Sequence, residues 1–413
     1  MSPRDRVRLG SRLRQLSASK PPAILIGNGS TNDLSFVRSL GRRRIPTVLV
    51  VDGRLLGSFS RYGLRIRMPA VEEAPDAWIE ILELVASALR PPRVLFALSD
   101  AHCEFLSRNS EHLGHSFRFV LPDAEAVETI LDKRRQYAAA ERAGMKIPAT
   151  SYPQDIDDVK RLAPHLEYPV ILKPYTAHLG RPRIANRKVL VIENASELLS
   201  AFSSCATSGA RFMVQEIVDG NDDAIFWYSG FWDEQGRERA WFTVQKLRQF
   251  PSGFGDGCLQ RTVHAPAVLE QSRRLLEALR YRGLVMVEFK RDASDGSYNL
   301  MEINSRTVSG NQLGVSAGVD LAWIAYRHLS GQAAPAELSP PFRVDVRYVN
   351  EEWDAQAFFA LRRSKELTFG AWLRSLGGTR AWALWAWDDP GPLLVGLWRL
   401  LRIGRRHFTN RGS

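Results

Sequence analysis

The chain has 413 residues, of which 45% are hydrophobic and 24% are charged, and its net charge is +11. This length predicts two or three domains, and the composition is ordinary for a soluble globular protein. The three cysteines, Cys103, Cys205 and Cys258, are far apart and odd in number. They argue against a disulfide framework and indicate a reducing compartment.

The excess of basic residues lies at the two ends of the chain. Residues 1–20 contain six basic residues and one acidic residue, and residues 391–413 contain five arginines and no acidic residue. Because a nucleic-acid groove needs a basic stripe on the folded body, no nucleic-acid partner is expected. The polar, Arg-rich start does not resemble a signal peptide, and the apolar run 391–398 is too short to span a bilayer. A cytoplasmic location is therefore predicted.

Residues 21–122 are predicted to form an α/β layer, preceded by a basic N-terminal extension over 1–20. Apolar runs at 23–26 and 47–51 bracket a segment of helical periodicity, and a second helix and strand follow at 78–89 and 93–98. This alternation predicts a parallel, Rossmann-like sheet. The turn "GNGSTN" is similar to a dinucleotide fingerprint, but Asn32 replaces its third glycine. The motif is therefore a weak signal, and a tight strand-to-helix turn is the favoured interpretation.

Residues 123–332 have a different, α+β pattern. A helix is predicted to end at Gly144, and a short buried strand, "YPVILKPY", ends in a lysine, Lys173. Further strands are predicted at 188–192, 212–218 and, as an antiparallel pair, within 224–251. The segment 333–413 is predicted to be a helical, Trp-rich C-terminal extension. Its end, 391–413, reads either as an interfacial helix on an anionic membrane or as a helix packed on the body with a solvated basic end.

The stretch "VEFKRDASDGSYNLMEINSR" places two acids, Glu288 and Glu302, inside an apolar hairpin. Side chains alternate along a strand, so Glu302 and Asn304 share a face, and Glu288 joins them if it pairs with Glu302. That pairing predicts a three-residue loop, 294–296. Two carboxylates and an amide oxygen on one face suit Mg²⁺, although two glutamates held by arginines such as Arg306 would be a purely structural alternative.

The order and spacing of these motifs resemble the ATP-grasp superfamily over about 123–332. The carrying motifs are Lys133, Lys173, "QEIV" at 215–218, Glu288 and "MEINSR" at 301–306. Within the superfamily, "KLRQFPSGFGDG" and "WDDPGP" are most similar to the carboxylate–amine ligases related to D-aspartate ligase. The resemblance implies a pre-ATP-grasp layer over 21–122 and an ATP-grasp domain over 123–332 with a small lid at about 150–218.

The resemblance also implies the ligands and the residues that bind them. ATP is expected with Mg²⁺, or Mn²⁺ in its place, and the substrates are expected to be a small-molecule carboxylate and an amine. The residues expected to bind ATP are Lys133, Lys173, Gln215, Glu216, Ile217, Val218 and Asp223. The expected metal ligands are Glu288, Glu302 and Asn304. Arg306, Lys246 and Arg248 are expected to serve catalysis.

The implied reaction joins the carboxylate, expected to be that of an amino acid, to the amine through an acylphosphate. Two alternatives stay open: a nucleotide-binding regulatory protein without turnover, and a membrane-associated module that uses the basic ends. A homodimer and peripheral contact of 391–413 with the inner face of the membrane are also compatible with the sequence. The loop 175–188 departs from the glycine-rich pattern of the superfamily, since Arg181, Arg183 and Lys188 stand there instead.

Overall fold

A computed structural model describes residues 3–16, 20–53, 56–175, 184, 188–206, 211–332 and 341–409. Three β-sheets organise these residues, with four, seven and four strands. The predicted Arg181 and Arg183 lie outside the described residues. None of the helices in the described part is long and apolar enough to cross a membrane.

The first sheet is parallel throughout and has the strand order β3-β2-β1-β4. Its strands are β1 (Ala23–Gly27), β2 (Thr47–Val51), β3 (Leu64–Arg67) and β4 (Val94–Ala97). Helices α1 (Pro3–Gln15), α2 (Thr31–Arg42), α3 (Pro75–Ala88), α4 (Asp100–Arg108) and α5 (Ser110–Gly114) accompany it. Strands β1 and β2 are buried along their whole length, as expected for a parallel sheet covered on both faces. The parallel sheet predicted for this part of the chain is present.

The turn after β1 is shaped by a buried carboxylate. Asp33 accepts hydrogen bonds from the Gly29 backbone N–H (2.6 Å) and the Ser30 hydroxyl (3.1 Å). A Cβ on Gly27 would lie 2.3 Å from Asp33 Oδ2, so only glycine leaves room for this carboxylate. Asn32 donates to the carbonyls of Leu98 and Thr307. Glycine in this turn is therefore explained by local packing, without a dinucleotide.

The second sheet has the strand order β13-β12-β9-β10-β11-β14-β15. Its strands are β9 (Ile225–Trp232), β10 (Glu238–Phe250), β11 (Asp256–Thr262), β12 (Gly283–Arg291), β13 (Tyr298–Asn304), β14 (Arg347–Val349) and β15 (Thr379–Trp382). All neighbours are antiparallel except β14 and β15. Helices α6 (Ala124–Leu131) and α7 (Lys133–Arg142) precede it in the chain. The helix α10 (Pro266–Ala278) leads into β12.

The third sheet is small and antiparallel, with the order β5-β8-β6-β7. It consists of β5 (Thr150–Ser151), β6 (Val170–Pro174), β7 (Leu190–Ile192) and β8 (Phe212–Glu216). Helices α8 (Ile156–Leu162) and α9 (Ala195–Ala206) accompany it. Its separate core includes Val159, Leu172, Leu198 and Phe212, each at most 2% exposed. The small sheet therefore has a hydrophobic core independent of the other two.

The hairpin β12–β13 has the predicted pairing but a different loop. Glu288 pairs with Glu302, and Met286 pairs with Asn304. A register shift after Glu288 leaves Met301 as an extra residue on β13. The pair Asp292–Ser297 closes the turn, so the loop 293–296 has four residues and not the predicted three. The β-bulge compensates for the extra loop residue and returns the two acids to one face.

The C-terminal part contributes strands as well as helices. Besides α11 (Asn311–Ala317), α12 (Leu321–Leu329), α13 (Glu351–Arg363), α14 (Phe369–Ser375) and α15 (Gly391–Thr409), it supplies β14 and β15 to the large sheet. The prediction of a helical extension did not include these strands. Two ion pairs join it to α2, Arg38–Asp389 at 2.9 Å and Arg42–Asp388 at 2.8 Å. Arg38 and Asp389 are both at most 2% exposed.

The basic ends are helical where they are described. Helix α1 packs on α3 and buries Leu13 completely, and its Arg6 pairs with Glu80. Helix α15 packs on the short 3₁₀ segment Leu56–Phe59. The charges predicted for two tails are therefore carried largely by helices that rest on the body.

Candidate active site

Two cavities meet at the hairpin β12–β13. The larger, of about 350 Å³, lies between the carboxyl end of the first sheet and the hairpin. The smaller, of about 140 Å³, lies between the hairpin and the small sheet. Four charged residues line both cavities: Lys133, Lys188, Glu288 and Glu302. These side chains therefore lie at the junction of the two cavities, where ligands bound in the two cavities would meet.

Each hairpin carboxylate is paired with a lysine. Lys133 Nζ lies 2.8 Å from Glu302 Oε1, and Lys246 Nζ lies 2.8 Å from Glu288 Oε2. The two glutamate side chains are 34% and 15% exposed respectively, so both remain accessible from the cavities. Lysines, and not Arg306, hold the two acids. Such pairs can exchange partners when a cation and phosphates enter, because each ammonium then gains a new anionic neighbour.

Lys133 reaches Glu302 because the predicted single helix is broken. Asp132 ends α6 and caps α7, accepting from the backbone N–H groups of Arg134 and Arg135. Lys133 is consequently the first residue of α7, and its N–H donates to the Tyr175 carbonyl. An N-cap aspartate in the middle of a helical pattern is the sequence signal for this break.

The electrostatics of Glu302 favour the ionised form. Burial alone would raise the pKa of its carboxyl, but Lys133, with Lys188 and Arg306 nearby, holds that pKa well below its usual range. Glu302 therefore stays negatively charged throughout the physiological pH range. An ionised carboxylate is the state needed to bind a divalent cation.

Asn304 and Arg306 continue the same face toward the first sheet. Arg306 donates through Nε and Nη2 to the two carboxylate oxygens of Asp100, at 2.7 and 2.8 Å, and through Nη2 to Asn304 Oδ1 at 3.3 Å. Burial opposes the charge of Arg306, yet Asp100 outweighs it and raises the pKa of the guanidinium. Arg306 is thus a fixed cation at the edge of the larger cavity.

Lys173 lies at the end of β6 in the smaller cavity. Its Nζ donates to the Tyr137 hydroxyl at 2.9 Å and lies 5.3 Å from the centre of that ring. Burial lowers the pKa of this ammonium to about 8, while Glu302 and Glu288 raise it. The Lys173 side chain therefore changes between its charged and neutral forms near physiological pH. An anionic ligand would stabilise the charged form.

The strand β8 contributes unequally to the smaller cavity. Glu216, Ile217 and Val218 line it, and Glu216 Oε1 accepts from the Ala149 N–H at 2.8 Å. Gln215 does not line it: its side chain is buried in the small sheet and donates to Thr150 Oγ1. Alternation along the strand explains this difference, since Gln215 and Glu216 point to opposite faces.

Two further predicted residues lie away from both cavities. Asp223 is exposed, and its backbone carbonyl accepts from Gln245. Arg248 is buried against the C-terminal part, where it pairs with Asp354 and donates to the Ser375 hydroxyl. A β-bulge between Lys246 and Arg248 turns these two residues apart, so only Lys246 faces the cavity. Arg248 therefore lines neither cavity, and its role in catalysis stays a prediction.

The geometry can be compared with known proteins. A family profile described as "ATP-grasp in the biosynthetic pathway with Ter operon" matches residues 234–352. The D-aspartate ligase of Enterococcus faecium (strain Aus0004) is 22% identical over 241 residues, which are 55% of this chain and 56% of that protein. The chain thus matches little more than half the length of this curated relative.

Solved structures give the fold over a larger part of the chain. N5-carboxyaminoimidazole synthetase from Staphylococcus aureus superposes with a TM-score of 0.62 at 14% identity, covering 84% of this chain and 86% of that one. The L-amino acid ligase from Bacillus licheniformis superposes with a TM-score of 0.58 at 14% identity, covering 78% and 77%. This chain has the ATP-grasp fold. The resemblance predicted from the sequence is confirmed.

The residues on the shared face of this ATP-grasp fold match the chemistry of a magnesium site. Glu288, Glu302 and Asn304 present two carboxylates and an amide oxygen, and Mg²⁺ prefers such hard oxygen ligands. Within the described residues no group of three or more His, Cys, Asp or Glu side chains could form a metal centre by itself. The donor set fits a cation that shares its coordination with phosphate oxygens and water.

Three residues that line the larger cavity were not predicted from the sequence. Asp100 follows β4 at the start of α4, and its partner is Arg306. Asp256 pairs with Lys188 at 2.7 Å, and Gln260 Oε1 accepts from the Trp227 indole at 2.8 Å. A polar residue after the carboxyl end of a parallel strand is a recognisable signal for Asp100. No comparable local signal marks Asp256 or Gln260.

Proposed function

We propose that this protein is an ATP- and Mg²⁺-dependent ligase that joins a carboxylate to an amine with release of ADP and phosphate. The observation that carries the proposal is the meeting of two cavities at Glu288 and Glu302, where Lys133 and Lys188 also line both. The similarity to a D-aspartate ligase and to an L-amino acid ligase supports an amino-acid substrate.

The smaller cavity is proposed to hold the nucleotide. Ile217 and Val218 would contact the adenine, with Glu216 beside it, and Lys173 would bind a phosphate from the floor of the cavity. Lys133 and Lys188 would take phosphate oxygens at the junction. Gln215 and Asp223 are left out of this assignment because their side chains lie elsewhere.

The hairpin face is proposed to hold the metal. Glu288, Glu302 and Asn304 would bind Mg²⁺, which supplies neutralisation of the phosphate charge. Lys133 and Lys246 balance the two carboxylates in the protein alone, and their ammonium groups become available to phosphate or substrate once the acids have another partner. The chain thus keeps its buried charges paired before and after binding.

The larger cavity is proposed to bind the two organic substrates. Its polar wall combines Ser30, Asn32 and Ser99 from the first sheet with Lys246 and Arg306 from the second. A carboxylate held by these cations would attack the γ-phosphate, giving an acylphosphate and ADP. An amine would then attack the acyl carbon, forming the amide and releasing phosphate and a proton. Arg306 would stabilise the negative charge that develops on the reacting groups.

Positioning of the reactants is expected to contribute to the rate enhancement together with electrostatic stabilisation. No nucleophilic side chain is required, because the substrate carboxylate itself attacks. Holding both reactants at the junction supplies roughly 7–11 kcal/mol of barrier reduction through effective molarity. Cys258 is buried, and burial raises the pKa of its thiol, so it does not act as a nucleophile.

The decisive experiment measures ADP and phosphate release with MgATP and a panel of D- and L-amino acids paired with amines. Release that requires both a carboxylate and an amine supports the proposal. A carboxylate labelled with ¹⁸O tests the acylphosphate, since one labelled oxygen must appear in the released phosphate. ADP release that is equal with and without every substrate pair would contradict ligase activity.

A further inference from the structure

The C-terminal part carries an exposed apolar surface. Of the eleven large hydrophobic side chains exposed in the described part of the chain, eight lie between Phe359 and Trp398. Five of them lie within 14 residues of sequence and are here called the tail patch: Trp385, Trp387, Leu394, Leu397 and Trp398. Trp387 is 85% exposed and Leu394 is 62% exposed. Solvation of so much apolar surface is unfavourable and indicates an interaction site.

One face of the helix α15 packs on the protein, and another face is exposed to solvent. A Cβ on Gly396 would lie 2.8 Å from Leu384 Cδ1, and Pro392 is buried on the same side. Leu394, Leu397 and Trp398 are spaced i, i+3 and i+4, so they form one stripe on a different face. The exposed stripe is therefore a consequence of how the helix docks, and does not arise from fraying.

The helix that carries Leu394, Leu397 and Trp398 is basic in sequence, while Glu351 accepts from the Trp385 N–H and Glu352 interacts electrostatically with Arg399. Residues 391–413 contain five arginines and no acidic residue. The two acids that precede the helix are already neutralised, Asp388 by Arg42 and Asp389 by Arg38. A Trp- and Leu-bearing helix with arginines as its charged residues has the composition of an interfacial helix.

We propose that the tail patch docks on an anionic lipid surface, with its Trp and Leu side chains entering the interface and the basic charge of the C-terminal sequence attracting it to lipid phosphates. The basic charge of 391–413 favours an anionic membrane over a second copy of the chain as the binding partner. Two tail patches brought together would face each other with like charges, whereas an anionic bilayer offers the complementary sign.

Helix α13 connects the tail patch to the larger cavity. Glu351, the first residue of α13, accepts hydrogen bonds from the backbone N–H groups of Leu384 and Trp385. Trp353, in the first turn of the same helix, lines that cavity. Lipid binding itself does not depend on the proposed ligase activity, so the two proposals can fail separately.

Vesicle co-sedimentation of the full chain tests the proposal, using phosphatidylcholine vesicles with and without phosphatidylglycerol. We expect binding only to the anionic vesicles, lost at high salt, and reduced at least tenfold in the variant W387S/L394S. R405Q/R406Q should also bind more weakly and with a shallower salt dependence. V191S is the matched control, since Val191 is an exposed hydrophobic residue on the small sheet and should bind like the wild type.

Circular dichroism keeps the result interpretable, because both residues of W387S/L394S are exposed and the fold should persist. Equal binding of wild type and W387S/L394S to anionic vesicles would overturn the proposal. The proposal would also be overturned if the wild-type chain does not bind vesicles but forms a dimer that W387S/L394S dissociates. The tail patch would then bind a second copy of the chain.

Discussion

Arg306 and Asp100 are 206 residues apart in sequence and form a two-pronged ion pair, at 2.7 and 2.8 Å, between the hairpin sheet and the first sheet. The Arg306 side chain is only 20% exposed, so its orientation depends on this partner. The pair joins the two sheets at the wall of the larger cavity. It links the position of a proposed catalytic cation to the packing of the first sheet.

Replacing Asp100 should therefore impair turnover more than nucleotide binding. We expect D100N to lower kcat about 10- to 100-fold, because Arg306 loses its ionised partner and its fixed direction. The Kd for ATP should change less than threefold, since Asp100 does not line the smaller cavity. Steady-state ADP release and ATP titration measure the two effects. D157N, which breaks an exposed pair with Lys160, is the control. A parallel loss of ATP affinity would show that Asp100 acts on the whole fold.

Glu302 gives a second prediction. The change E302Q keeps the shape of the side chain and can still accept from Lys133, but it removes the charge that a cation needs. Mg²⁺-dependent ATP turnover should fall at least about 100-fold, with the circular dichroism spectrum unchanged. E216Q is a useful comparison, since Glu216 lines only the smaller cavity and should mainly affect ATP binding. Near wild-type turnover in E302Q would refute the metal assignment.

Lys246 and Arg248 form a matched pair for a third prediction. K246M should reduce turnover, because Lys246 faces the larger cavity, and should destabilise the fold less than R248M, because the Glu288 that it leaves unpaired is 15% exposed. R248M should instead destabilise the fold by roughly 3–5 kcal/mol, because Asp354, only 2% exposed, is left as an unpaired buried charge. Denaturant unfolding and ADP release, both at a temperature where each variant is folded, separate the outcomes. Equal loss of turnover in both variants at full stability would support a catalytic role for Arg248.

The sequence predicted which acids share a face of the hairpin, but it did not predict the loop length or the β-bulge. Period-two alternation placed Glu302 and Asn304 on one face, and the pairing of Glu288 with Glu302 was predicted because a metal site needs both acids there. The loop length was mispredicted because the bulge at Met301 shifts the register. A signal exists in hindsight, since the buried Leu300 and Ile303 are three residues apart and cannot share a face of a regular strand.

Long-range partners account for most of the remaining errors. Asp100 reaches Arg306 only after the first sheet packs on the hairpin, and no local pattern carries that information. Lys246 and Arg248 were predicted together as cations suited to an acidic substrate, but a β-bulge between them directs only Lys246 to the cavity. A long segment separates β14 in sequence from β13, the preceding strand of the large sheet. The position of β14 beside β11 therefore depends on tertiary packing.

Lys173 gives a fourth prediction, on pH. Burial lowers its pKa to about 8 in the folded chain, from an ordinary 10.5, so the ammonium loses its proton as the pH rises through 8. If only the charged form binds phosphate, the Kd for ATP should increase by up to about tenfold per pH unit above 8. K173R should flatten this dependence because arginine stays charged. Isothermal titration of ATP between pH 7 and about 9.5 measures it. An identical pH dependence in both proteins would assign it to another group.

The buried carboxyl behind the first glycine turn gives the last prediction. Burial raises the pKa of Asp33 to about 7 from an ordinary 3.8. Between these values the folded chain binds more protons at Asp33 than the unfolded chain, so this residue makes stability fall as the pH rises toward 7. Asp52, whose pKa burial raises to about 6, acts in the same direction. His102, whose pKa burial lowers to about 3, acts in the opposite direction below about pH 6.5.

Because these three groups partly cancel, the difference between D33N and wild type is the quantity to measure. The amide introduced by D33N can still accept from the Gly29 N–H through its carbonyl oxygen, so the turn should survive. Urea unfolding should show D33N gaining stability relative to wild type as the pH rises from 4 to 7, and no further change above about pH 8. D157N, at an exposed site, should give a flat difference over the same range. A flat difference for D33N as well would mean that Asp33 is ionised in the folded chain, with the Gly29 N–H and the Ser30 hydroxyl sufficient to stabilise its charge.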